Sequence, residues 1–194
     1  MTLYRLASAL RLRPWWLAWL FPLLLAGCGT PTQPAPMTLG TAEALQLRGW
    51  VPDVFKAQLT VAAVRGGQVT GRWWGSKVSA QALQTALDDS LYAIGMKSPA
   101  PVPEPPPRFE LLAEMLALDQ PLIAASVTVT VTVRYTLTDK TNGRIVYQRP
   151  LSATSEAGFT EALLSQPERT RIANERALRS NITMLLRDLV SLRP

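Results

Sequence analysis

The sequence predicts an α+β domain, an antiparallel sheet of about four to five strands with two helices packed on one face. Three stretches carry that prediction. Ala125 to Thr138 alternates strictly, with Val127, Val129, Val131, Val133, Tyr135 and Leu137 on one face and Ser126, Thr128, Thr130, Thr132, Arg134, Thr136 and Thr138 on the other. Period-two patterning of β-branched residues marks a strand covered on one side and wet on the other. Leu83, Leu87, Leu91 and Ile94 recur at helical spacing. Leu178, Ile182, Leu185, Leu189 and Leu192 do so over a longer stretch, and an apolar stripe of this kind needs a sheet or another helix to cover it.

Along the domain, Ala44 to Gly49 and Ala57 to Val64 read as strands, the second ended by the turn Arg65-Gly66-Gly67, with Val69 to Trp74 as a short return strand. Ser76 or Ser79 can cap the first long helix, and Gly95 can end it with positive φ. Asp88 and Asp89 are adjacent, so their carboxylates diverge instead of converging on one reacting atom, and they read as a solvated face. Ser98 to Pro107 holds six prolines, which excludes helix and central strand and leaves an extended surface connector. Phe109 to Leu118 satisfies both strand and helix spacing, and strand is preferred because it would pair with Ala125 to Thr138.

The turn Asp139 to Gly143 leads to a return strand, Arg144 to Thr154. A two-residue Asn-Gly turn would set Leu137 against Gln148. An odd loop keeps the apolar faces together, either five residues with Leu137 opposite Ile145 or three, Thr141 to Gly143, with Gly143 left-handed. Pro150 implies an edge strand or a bulge. The C-terminal helix is expected over Pro167 to Leu192. Asn174 and Asn181 flank its stripe and are expected to bond a loop or sheet edge within the domain. Arg169, Arg171, Arg176 and Arg179 read as a solvated face, partly paired with Glu168 and Glu175.

Composition narrows the function. The chain has 194 residues, no histidine and one cysteine, Cys28. Imidazole-based triads, imidazole-metal sites and internal disulfides are therefore excluded. No catalytic residue, metal site or cofactor motif stands out. Ser76-Lys77 is the surviving option for a Ser/Lys hydrolase, but neighbouring side chains seldom face each other usefully. The formal charge is +6, and the part from Cys28 onward carries 17 basic and 14 acidic residues. With no basic patch interleaved with aromatics, nothing points to nucleic acid.

Residues 1–13 hold three arginines and no acid, and Trp15 to Gly27 is almost continuously apolar. That run is short for a bilayer span, which takes ~20 residues, and fits a signal peptide with a small-residue cleavage site. Leu25-Ala26-Gly27-Cys28 resembles the lipobox of bacterial lipoproteins. The resemblance implies a cleaved signal peptide over residues 1–27 and lipidation at Cys28. It also implies stable membrane attachment through several acyl chains, palmitate among them. Residues 28–42 are expected to be the lipidated cysteine and a flexible tether, with Thr30 to Pro36 stiffened by prolines. Residues 43–194 are expected to form the single periplasmic domain, with the Pro-rich insert at 98–107. Gly29 stands where Asp would signal inner-membrane retention in enterobacteria, so the analogy implies the outer membrane, domain facing the periplasm.

From Val78 to Leu192 the order of elements, with Leu83 to Gly95, Val127 to Asp139, Gly158-Phe159 and Ala173 to Leu192, resembles the YajG-like lipoproteins. More distantly it resembles the auxiliary lipoproteins of ABC-type lipid transport systems. The insert at 98–107 departs from that pattern. The resemblance implies no enzymatic activity and no cofactor. It implies a role in the cell envelope through a protein or lipid partner, or as an auxiliary subunit of a lipid transporter. Trp73 and Trp74, flanked by Gly71 and Gly75, are candidate partner contacts, the alternative being that they fold back onto the core.

Overall fold

In a computed structural model, the structure describes residues 31–67, 76–120, 126–163 and 165–193. Leu25 to Cys28, the strand expected over Val69 to Trp74, and the candidate contacts Trp73 and Trp74 lie outside the described residues.

The elements run α1 (Pro34–Met37), α2 (Thr41–Arg48), a 3-10 turn (Asp53–Phe55) and β1 (Leu59–Val61). They continue with α3 (Ala80–Ile94), β2 (Phe109–Asp119), β3 (Val127–Asp139), β4 (Arg144–Ala157), a second 3-10 turn (Phe159–Glu161) and α4 (Gln166–Ser191). The four described strands form one sheet in the order β1-β2-β3-β4. The α+β class holds, with one correction: β1 pairs parallel to β2, Leu59 with Phe109 and Val61 with Leu111. The cause is α3, which lies between them in the chain, since a helical crossover returns the chain to the same end of the sheet.

Val127, Val129, Val131, Val133, Tyr135 and Leu137 are all fully buried, facing the side on which α4 packs. The opposite face is polar and cross-linked between strands. Thr130 and Thr154 share a hydrogen bond of 2.9 Å, Thr132 and Ser152 one of 2.6 Å, and Arg134 pairs with Glu114. Hydroxyl and charge pairs of this kind stabilise neighbouring strands without a covering layer. At the far side of the core Phe55 meets Phe109 edge to face, 5.0 Å between ring centres.

The β3-β4 turn differs from expectation. Asp139 pairs with Arg144, leaving a four-residue loop, and a bulge at Val146 then shifts the register. Beyond it Leu137 faces Tyr147 and Val133 faces Leu151, the register a three-residue loop would give. Burial of Tyr147 and Leu151 fixes the parity, and the bulge reconciles it with the even loop. Gly143 is left-handed at φ +72°. Pro150 lies on β4, an edge strand, so its missing N–H costs no ladder bond to a further strand.

α3 is capped as expected, with the Ser79 hydroxyl accepting from the Ala82 N–H at 3.1 Å and Gly95 closing the helix at φ +84°. Residues 98–107 form an irregular surface connector between α3 and β2.

Two expectations at the start of the domain are overturned. Thr41–Arg48 is a helix, not a strand from Ala44. Leu45 and Leu47 mimic strand alternation, yet Ala44 is the buried residue and Leu45 is 67% exposed. Thr-Ala-Glu-Ala-Leu-Gln-Leu-Arg is also made of strong helix formers after its first residue. Nor are residues 32–42 a loose tether. Met37 is completely buried, and Thr32 and Leu39 are nearly so. Met37 and Leu39 follow the last proline, Pro36, and their burial outweighs the stiffness of the prolines. The strand expected from Ala57 is likewise shortened to Leu59–Val61, with Arg65 rejoining β2 only as an isolated bridge to Glu114.

Candidate functional site

The most developed polar constellation lies where the described N-terminus meets the domain. The Ser76 carbonyl accepts from Asn174 Nδ2 at 3.1 Å and from Gln120 Nε2 at 3.0 Å. Gln120 Nε2 also donates to Asn174 Oδ1 at 2.6 Å, and Lys77 Nζ donates to Gln120 Oε1 at 3.1 Å. This knot ties together the segment before α3, the end of β2 and the N-terminal half of α4. The incoming chain docks beside it. Thr32 Oγ1 donates to the Lys77 carbonyl at 3.2 Å, and the Gln33 N–H donates to Glu175 Oε1 at 2.8 Å.

Glu175 is buried and held by Arg171, whose guanidinium bonds both of its carboxylate oxygens at 2.7 Å and also pairs with Glu168 at 2.5 Å. The hydrogen bonds from Arg171 to Glu168, and then to Glu175, raise the guanidinium pKa far above its ordinary range despite desolvation. Two carboxylates on one guanidinium leave the Glu175 oxygen free to accept the Gln33 backbone without a bare buried charge.

From there the N-terminal segment follows α4 as a strap. Arg179 Nε donates to the Thr38 carbonyl at 2.9 Å, and Arg187 pairs with Glu43 at 2.8 Å. The Leu39 N–H donates to the buried Ser90 hydroxyl of α3 at 3.1 Å. Arg176 and Arg179 are exposed and Arg171 pairs with Glu168 and Glu175, as expected, while Arg169 departs from the solvated face. Arg169 is buried with its guanidinium over the Phe159 ring, 5.4 Å from the ring centre, and donates to the Ala162 carbonyl at 2.6 Å. Arg176 pairs with Glu161.

Asn181 behaves as expected, bonding within the domain. It accepts from the buried Tyr135 hydroxyl at 2.9 Å and donates to the Leu151 carbonyl at 2.7 Å, which fastens α4 to β3 and β4. Burial pushes the Tyr135 phenol well above its ordinary pKa. Asn174 is its counterpart in the knot.

Ser76 and Lys77 are not assembled as a catalytic pair. The Ser76 hydroxyl is fully buried and has no hydrogen-bond partner among the described residues, while the Lys77 ammonium is directed to Gln120. A nucleophile needs both a base and access to substrate, and the Ser76 hydroxyl has neither. Asp88 is paired with Lys97 and takes no part in a carboxylate pair with Asp89. Among the described residues no three His, Cys, Asp or Glu side chains are placed to hold a metal ion, and no helix is long and apolar enough to cross a membrane.

A second feature lies at the other end of α4. Trp50, Pro52, Val54, Val190, Leu192 and Arg193 line an open groove of about 560 Å³, with Trp50 75% exposed.

Two solved structures share this architecture. A protein assigned as a lipoprotein in Caulobacter crescentus aligns over 76% of this chain and 96% of its own, with a TM-score of 0.50 and 14% identity. Protein XCC0632 from Xanthomonas campestris, of family DUF330, aligns over 70% and 87%, with a TM-score of 0.51 and 13% identity. The likeness is one of fold. No protein-family model matches the sequence, and no curated protein does.

The knot and the strap were hidden from the sequence. Gln120 follows a strand and Ser76 precedes a helix, and nothing in their spacing shows that the two meet at Asn174. The legible signals were Asn174 and Asn181 themselves, seven apart beside an apolar stripe, where a polar residue at a buried position demands a partner.

Proposed function

We propose that this chain is a non-enzymatic lipoprotein of the bacterial envelope. It is anchored through acyl chains on Cys28 and binds or scaffolds an envelope protein or a lipid at the periplasmic face. The observation that carries the reading is the docking of Thr32 and Gln33 onto Lys77 and Glu175. A segment four residues after the cysteine is built into the fold, so the domain and the attachment point form one unit.

Three supports converge. Leu25-Ala26-Gly27-Cys28 supplies the acylation motif. The fold resembles that of a Caulobacter chain assigned as a lipoprotein. The hydroxyl of Ser76, which precedes Lys77 in sequence, is sealed from substrate. Gly29 favours the inner leaflet of the outer membrane, and the architecture is compatible with the YajG-like lipoproteins.

Photocrosslinking in the native envelope, followed by mass spectrometry, tests the role. Reproducible capture of one envelope protein, or of lipid, supports it. Capture of a membrane permease selects the transporter-subunit form of the same reading, and turnover of a substrate by the purified protein would overturn it.

A further inference from the structure

We propose that the turn after β4, Gly158 to Leu163, is a membrane-contact surface, pressing Phe159 and Leu163 into the bilayer that carries the protein's own anchor. The inference rests on lipidation at Cys28, as proposed above. Its first ground is the path of the strap. Gln33 is held at Glu175, Thr38 at Arg179 and Glu43 at Arg187, so the segment advances along α4 toward its C-terminus. The described chain therefore begins beside the N-terminal half of that helix.

The second ground is reach. Cys28 lies four residues before Thr32, and a fully extended chain covers at most ~3.5 Å per residue, so the anchor is within ~14 Å of Thr32. At 1.5 Å per residue, Arg169 is ~9 Å along α4 from Glu175, while Val190 is ~22 Å away in the other direction. The lipid can thus lie at the end of the domain where Phe159 stacks on Arg169, and cannot lie at the groove beside Trp50.

The third ground is what that end displays. Phe159 is 50% exposed and Leu163 58% exposed, both within one short turn. The cations around it are occupied: Arg176 by Glu161, Arg171 by Glu168 and Glu175, and Arg169 by Phe159 and the Ala162 carbonyl. The turn therefore offers apolar side chains above a neutralised base, which suits the headgroup boundary of a bilayer rather than an anionic ligand. An acyl anchor fixes distance alone, and a second, apolar contact at the same end fixes orientation. The Trp50 groove would then face away from the membrane.

The test uses the acylated full-length protein in vesicles of phosphatidylethanolamine and phosphatidylglycerol that carry nitroxide-labelled lipid. Phe159→Cys, Leu163→Cys and Trp50→Cys each introduce one free thiol for an environment-sensitive fluorophore, because acylation blocks Cys28. All three sites are at least half exposed, so labelling does not disturb the core. Side chains at the interface sit ~5–10 Å into the headgroup boundary, so the probes at 159 and 163 should be quenched about twofold or more beyond the probe at 50. Equal quenching at the three sites in protein shown by intact mass to be acylated overturns this inference and leaves the anchor standing. An intact mass without acyl chains overturns both.

Discussion

At the scale of single residues, the fold depends on a few buried polar side chains whose partners are far away in sequence. Asn181→Ala would strip the Tyr135 hydroxyl and the Leu151 carbonyl of their partner in a fully buried site. An unsatisfied buried group costs about 1–3 kcal/mol, so a loss of about 2–4 kcal/mol is expected in urea denaturation. Ser76→Ala should behave oppositely. Its hydroxyl is buried and has no hydrogen-bond partner among the described residues, while its carbonyl does the bonding, so removing the hydroxyl should raise stability by about 1 kcal/mol and leave any envelope phenotype intact. Asp139 provides the pH-sensitive case. Hydrogen bonds from Arg108 and then Thr141 hold its carboxyl well below the usual range despite its burial. The charged form is favoured in the folded state, so this stabilisation is complete above the unfolded value of about 3.9. It is lost as pH falls through the lower folded value. Asp139→Asn should therefore flatten the acid limb of a stability-pH profile below about pH 4 relative to the parent. Asn181 could be singled out from the sequence, because an amide beside an apolar stripe needs a partner. Asp139 could not, because Arg108 lies across the sheet from it and 31 residues earlier.

At the scale of elements, legibility followed the strength of the local pattern. β3 and α4 were readable because each repeats one rule over many residues. Thirteen residues of β3 alternate without a break, and the four-three leucine stripe of α4 is fully buried from Leu178 to Leu189. Short elements were misread, because over eight residues the two periods overlap, and Leu45 and Leu47 imitated a strand on what is α2. The strap was read as a tether for a related reason: three prolines in Thr30 to Pro36 are a composition signal, whereas Met37 and Leu39 bury themselves against α3 and α4, which composition does not show. Met37→Ala tests whether the strap is structural. A fully buried methionine truncated to alanine costs about 2–5 kcal/mol, and the amides of residues 41–48 should lose hydrogen-exchange protection together with it. A mutation in a loose tether would change neither.

At the scale of the whole molecule, the sheet, the two long helices and the strap form a body whose polar knot sits at the place where the chain arrives from Cys28. The α+β class was legible because one strand and two helices were; the parallel pairing of β1 was not, because it depends on α3 intervening between two strands of unequal quality. The candidate contacts Trp73 and Trp74 remain a proposal for partner binding, to be examined by the same crosslinking that would reveal the partner. The fold holds Thr32 in place four residues after Cys28, the residue proposed to carry the lipid anchor. Metabolic labelling with palmitate, combined with membrane fractionation of wild-type and Cys28→Ala protein, addresses that directly. The wild type should take up label and sediment with the outer membrane, while Cys28→Ala should carry no label at that position and lose its membrane retention. Label on Cys28→Ala, or an unlabelled wild type released freely from the envelope, would contradict the account.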